Sequence, residues 1–146
     1  MNCAVFCLSR LTCLPPRAVE VMLRRRHRGL LHIAADSSIH DVLMPDAALD
    51  VLRDRLGFDI AEYEGEGPAD VAGWARLSAS RFLGDRLLLT AESRHHVGDP
   101  EGRRPAHSLV AEAGWIFDNQ NPRGLRGGEH PYRDARVLAV HRVRSE

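Results

Sequence analysis

Lysine is absent from this chain of 146 residues: all 20 basic side chains are arginine, and 20 acidic residues balance them to a net charge of zero. A neutral chain sets up no overall field to draw in nucleic acid or an anionic membrane, so either partner would need a local arginine patch. Cysteine is nearly as scarce. Cys3, Cys7 and Cys13 are odd in number and crowd into the first 13 residues, so they cannot build a disulfide framework across a fold. That usage fits a reducing compartment. Long apolar runs are missing too: the one at residues 3–8 is too short to span a bilayer and lacks the basic flank and cleavage site of a secretory signal. The expectation is a cytoplasmic protein, or one exported without an N-terminal signal, with no membrane partner. No Gly-x-Ser-x-Gly occurs, which removes the usual serine-hydrolase elbow, and Ser108 would lie on the opposite sheet face from its neighbour His107.

What is present is ordinary in bulk. A hydrophobic fraction of 44% and a charged fraction of 27% describe a soluble globular protein, and the length suffices for a core without disulfides or metal. No internal repeat or shift in composition marks a boundary, so residues 1–146 are expected to form a single domain.

The chain opens with Asn2 as an N-cap and a helix to residue 11 that is apolar on nearly every side, which suits burial in a core. Residues 12–16 break it, and Pro16 starts a second helix carrying Val19, Met22 and Leu23 on one face. Its end, Arg24 to Arg28 with His27, reads as a solvated helix terminus favoured by the macrodipole. No aromatic side chains interleave it, which argues against a nucleic-acid patch. Residues 30–34 suit a short strand, and 36–43 are ambiguous. Asp46 caps a further helix with Leu49, Leu52 and Leu56 on one stripe, stopped by Gly57. Residues 58–63 read as an edge strand, 65–68 as a turn too short and acidic to cradle phosphate, 70–77 as a helix, and 86–90 as a buried strand. Two polar loops, 93–105 and 122–134, flank a hairpin, and 137–143 close the chain as a strand.

That hairpin, residues 106–121, offers chemistry. With Ala113 and Gly114 as a two-residue loop, Trp115 pairs with Glu112, and His107 and Asp118 fall diagonally on one sheet face within reach of each other. A slip of one residue would put Asn119 opposite His107 instead. Either partner can orient an imidazole, which then lacks only a nucleophile. His95, His96, His130 and His141 are weaker candidates, the first two being loop residues among charges. Cys3 is the strongest nucleophile, because a cysteine in the first turn of a helix feels the dipole and free N–H groups that favour a thiolate. Cys7 and Cys13 read as packing or turn residues. Cys3 and Cys7 have metal-like spacing, but no second pair completes four ligands, so neither a metal nor another cofactor is expected.

These residues resemble a family. Asn2-Cys3-Ala4-Val5, Leu8-Ser9, Thr12-x-x-Pro15 and Val19 are similar to the start of small papain-like cysteine peptidases of phage and bacterial genomes, whose nucleophile opens a buried helix ending at a Thr-Gly-x-Pro turn. The strand at 86–90, His107-Ser-Leu-Val-Ala, Gly114-Trp115 and Asp118 resemble their second half. Asp118-x-Gln120 is similar to papain-fold toxin domains of the glutamine-deamidase kind and to transglutaminase-like peptidases. The resemblance covers about 20 residues at the front and 35 at the back. It implies an α+β papain-like fold, with a buried N-terminal helix packed against a small antiparallel sheet, and a cysteine-dependent hydrolase or acyl-transfer enzyme acting on amide bonds of a protein or peptide. Cys3 would be the nucleophile, His107 the base and Asp118 its orienting partner, with Asn2, Asn119 and Gln120 in support.

Two positions depart from the pattern. Cys13 stands where those relatives have glycine, and the upstream glutamine that papain-like enzymes use as an oxyanion donor has no counterpart, since the sole glutamine is Gln120. Cys3's own N–H and Asn2 are the donors available. The rival expectation is therefore a catalytically degenerate papain-fold module or effector that binds a partner, with Cys3 merely buried. A third, nucleic-acid binding through Arg24 to Arg28, runs against the zero net charge. Substrate and oligomeric state are not encoded in any motif.

Overall fold

The computed structural model describes residues 3–26, 53–54, 57–92 and 106–144. Within them, three helices pack on a six-stranded, wholly antiparallel open sheet, an α+β arrangement. Helix α1 spans Cys3–Thr12 and α2 spans Pro16–Arg26. Strand β1, Asp59–Glu62, precedes helix α3, Val71–Ser78. Strands β2, Arg86–Glu92, β3, Ala106–Glu112, β4, Trp115–Phe117, β5, Leu125–Arg126, and β6, Val137–Arg144, complete the sheet. Their spatial order is β1-β6-β2-β3-β4-β5. The expected strand at 30–34, the segment 36–43, the helix capped by Asp46, the loop 93–105 and Asn2 lie outside the described residues. None of the described helices is long and apolar enough to cross a membrane.

Alternation along the strands divides the interior into two cores. On one face, Val110, Leu88, Val143, Ile60 and Phe117 meet Val5, Cys7, Leu8 and Leu11 of α1 and Val19 of α2. On the other, Leu87, Leu89, Ala91, Leu109, Ala111 and Ile116 meet Val71, Trp74 and Ala75 of α3. The sheet is thus covered by helices on both faces, not only by the N-terminal one.

Local chemistry explains the boundaries. Asp70 caps α3 by accepting the Gly73 N–H at 2.8 Å, and the next free donors of that helix, the N–H groups of Val71 and Ala72, bond the carbonyls of Ala135 and Arg133. Between α1 and α2 the turn places Cys13, where the resembling family carries glycine, in the left-handed region at φ 59°. In the hairpin, Ala113 and Gly114 both take positive φ, 51° and 89°, the primed turn that matches strand twist. The turn is pinned from outside, because the buried Ser78 hydroxyl accepts the Gly114 N–H at 2.9 Å while donating to the Ala75 carbonyl.

Candidate active site

The two-residue turn sets the register of the hairpin: Glu112 faces Trp115, Ala111 faces Ile116 and Val110 faces Phe117. Ladder pairing stops there, and the chain leaves the sheet at Asp118. His107 lies one residue inside β3, paired with Ala91 and on the same face as Leu109 and Ala111. The imidazole Nε2 stands 2.9 Å from Asp118 Oδ2, and both side chains are buried. Asp118, not Asn119, is therefore the partner of His107.

The carboxylate is held from several directions. Asn121 donates its main-chain N–H to Asp118 Oδ1 at 2.8 Å and its side-chain amide at 3.1 Å, closing a tight turn over residues 118–121. His130 Nε2 faces the same oxygen at 3.5 Å. Burial alone would push the Asp118 pKa up, but hydrogen bonds from His107 and Asn121, with the His130 imidazole nearby, outweigh it and hold the carboxyl well below the usual carboxylate range. Asp118 is thus an anion throughout the neutral range. Facing an anion, His107 Nε2 carries the proton and donates, which leaves Nδ1 as the basic nitrogen of the neutral ring. The Tyr132 ring stacks on the imidazole, 4.3 Å between centroids and 15° between planes.

No protein-family model, curated protein or solved structure matches this chain.

Cys3 opens α1 and is only 3% exposed, and none of the three cysteines is in a disulfide. Helix α1 packs against β3 from the Val110 side of the sheet. The far end of the helix is tied to the far end of the β2–β3 pair: Arg10 meets Glu112 at 3.6 Å, its guanidinium lies 3.2 Å over the Phe117 ring, and Arg86 donates to the Leu11 carbonyl at 2.8 Å. Cys3 and His107 stand at the opposite ends of these same elements.

Of the supporting residues, Gln120 is exposed, Asn119 is half-buried and Asn2 is outside the described region. The group that grips Asp118 is the unanticipated Asn121. His130, a weaker candidate in the sequence, and Tyr132 lie in what reads as a polar loop, and the structure brings them to Asp118 and His107. The only sequence signal for them is an aromatic residue among prolines, glycines and charges. Among the described residues no group of three His, Cys, Asp or Glu side chains is disposed to hold a metal ion.

Proposed function

We propose that this chain is a papain-like, cysteine-dependent hydrolase or acyl-transfer enzyme acting on amide bonds of a protein or peptide. The observation that carries the reading is the His107–Asp118 pair, whose hydrogen bond occupies Nε2 and leaves Nδ1 for proton transfer. Cys3 supplies the nucleophile from the first turn of α1, where the helix dipole favours thiolate. His107 lies on the Leu109 face of β3 whereas α1 packs on the Val110 face, so in this mechanism the Cys3 thiol has to reach the imidazole around the N-terminal end of β3.

In this mechanism the Cys3 thiol gives its proton to His107 Nδ1 as sulfur attacks the carbonyl carbon. The oxyanion is met by the Cys3 N–H. Collapse breaks the C–N bond, the imidazolium returns its proton to the leaving amine, and a thioester remains on Cys3. Water deprotonated by His107 then releases the acid and the thiol, whereas an amine in its place completes acyl transfer. Asp118 stays ionised and keeps His107 in its working tautomer.

The test is alkylation of the intact protein with iodoacetamide, resolved by site. Cys3 is expected to react faster at neutral pH than Cys7 and Cys13, with a rate that collapses in His107→Ala. Equal rates at the three sites, indifferent to His107, would refute the enzyme.

A second reading keeps the fold without the reaction. The near-complete burial of the Cys3 side chain favours it, since a thiol used only for packing is buried in this way. That partner-binding module predicts a Cys3→Ser variant inert to iodoacetamide at that site yet unchanged in its protein interactions.

A further inference from the structure

Among the described residues, His130 is the most deeply buried titratable side chain that the mechanism above leaves idle. A buried imidazole is costly unless its nitrogens are engaged; here Nδ1 is hydrogen-bonded, while Nε2 makes no hydrogen bond and is turned toward Asp118. Nδ1 accepts the main-chain N–H of Tyr132 at 3.0 Å, so in the neutral ring the proton sits on Nε2. Nε2 in turn points at Asp118 Oδ1 from 3.5 Å, longer than a full hydrogen bond but close enough for a directed dipole in a site closed to water. Tyr132, whose N–H sets the tautomer of His130, also lays its ring on His107.

The four groups close a circuit. His107 and His130 take opposite oxygens of one carboxylate, and Tyr132 joins the two imidazoles, one through its main chain and the other through its ring. Oδ1 already accepts two donors from Asn121 in the same turn, so His130 adds a third group on that oxygen from a separate segment and limits the tilt with which Oδ2 is presented to His107.

We infer, resting on the proposed Cys3–His107–Asp118 chemistry, that His130 is a positioning residue: it orients Asp118 and thereby keeps the proton of neutral His107 on Nε2. His130 does not touch substrate in this scheme. It is enclosed, with its Nε2 turned inward to the carboxylate. Its carrier segment is fixed for the task, since the N–H groups at the start of α3 bond the carbonyls of Arg133 and Ala135, and Arg133 and Ala135 donate back to the carbonyls of His130 and Tyr132.

Glutamine and asparagine separate this role from space-filling. In His130→Gln the side-chain amide nitrogen falls where Nε2 was and still donates toward Asp118. In His130→Asn it falls at the Nδ1 position and cannot reach. Nitrogen-15 spectra of the imidazoles report the His107 tautomer and titration midpoint in either variant, whether or not the protein is an enzyme. The expected result is a His107 spectrum kept by Gln and altered by Asn, with Nδ1–H forms appearing. Cys3 alkylation should then fall about 10-fold in His130→Asn, the scale on which supporting partners of a reactive group act, and recover in His130→Gln. Two variants that both leave the His107 spectrum as in the wild type, or both alter it equally, would overturn the inference. Its failure is distinct from failure of the enzyme reading: alkylation indifferent to His107→Ala would sink the chemistry, while the tautomer of His107 would still report whether His130 orients Asp118.

Discussion

Asp118→Asn replaces one carboxylate oxygen by an NH2 group and changes almost nothing in shape, so it isolates what the charge and the second acceptor do. The introduced amide has a single acceptor oxygen. Two donors of Asn121, at 2.8 and 3.1 Å, compete for it against the one donor of His107. Turning the oxygen toward Asn121 faces the NH2 group to His107 Nε2, which must then accept, and the imidazole proton moves to Nδ1. Turning it the other way sets NH2 against the Asn121 donors in a buried site, at a cost of about 1–3 kcal/mol for the unmatched groups. The first arrangement is therefore favoured, and it occupies the nitrogen needed as base. In hydrolases where an aspartate orients the catalytic histidine, the same inversion lowers kcat about 10⁴-fold. Stability falls less. Exchanging a charge-assisted hydrogen bond, worth about 1.5–3 kcal/mol, for a neutral one of about 0.5–1.5 leaves a loss of about 1–2 kcal/mol. In a chain of this size that lowers Tm by roughly 2–8 °C. Imidazole nitrogen-15 spectra, site-resolved alkylation of Cys3 and thermal unfolding read the three effects separately. A variant that kept His107 protonated on Nε2 and Cys3 fully reactive would refute the orienting role of Asp118.

Further expectations follow from the same contacts. Ser78→Ala removes the acceptor of the half-buried Gly114 N–H, so it should cost about 0.5–1.5 kcal/mol, measurable as a shift of the urea midpoint with unchanged slope. Cys13→Gly relieves a left-handed residue worth about 1–2 kcal/mol of strain against about 0.5–1 kcal/mol of added chain entropy, for a net gain near 0.5–1 kcal/mol in thermal unfolding. Because the folded-state pKa of Asp118 is depressed, its contribution is complete above the ordinary carboxylate range, about pH 4, and is lost as pH falls toward the folded value. The stability gap between the wild type and Asp118→Asn should accordingly stay constant from neutrality down to about pH 4 and close only below it, whereas closure near pH 6–7 would point to histidine titration instead.

Much of this architecture was readable in the residues. Strong local signals set α2 at Pro16–Arg26, with Pro16 at its first turn, and α3 directly after Asp70. The hairpin register followed from two loop residues, Ala113 and Gly114, because a two-residue turn fixes every later pair. Parity also joined His107 to Asp118 in preference to Asn119. It stops one step later for a physical reason: pairing ends at Phe117, alternation ends with it, and a tight turn brings Asn121 back onto Asp118.

The stretch 122–134 is the polar loop that its residues predict for most of its length, but its short strand and its buried residues are not legible in it. A strand of two residues, Leu125–Arg126, has no period to detect, and its pairing to Trp115 and Ile116 is a tertiary fact. His130 is buried although its neighbour Glu129 is charged, and the segment that carries it is tied to the start of α3 through the carbonyls of Arg133 and Ala135. Local composition encodes solvent preference, and the burial of His130 overrides it in a segment whose carbonyls serve helix donors.

That override bears on how the site keeps its geometry. Asp118 is buried and charged, a combination that is unfavourable unless each oxygen is addressed. Two of its donors, Asn121 and His107, come from the hairpin, and the third group, His130, comes from the segment anchored on α3. Ser78 of α3 also pins the hairpin turn. One short helix therefore sets both ends of the relation between hairpin and loop, and β3 passes that setting to α1, whose last turn is fastened at Glu112 and Arg86. Moving α3 against the sheet would displace His130 from Asp118 while leaving the His107–Asp118 bond within its own hairpin intact. The dyad is thus local and robust, whereas its orientation is a property of the packed fold.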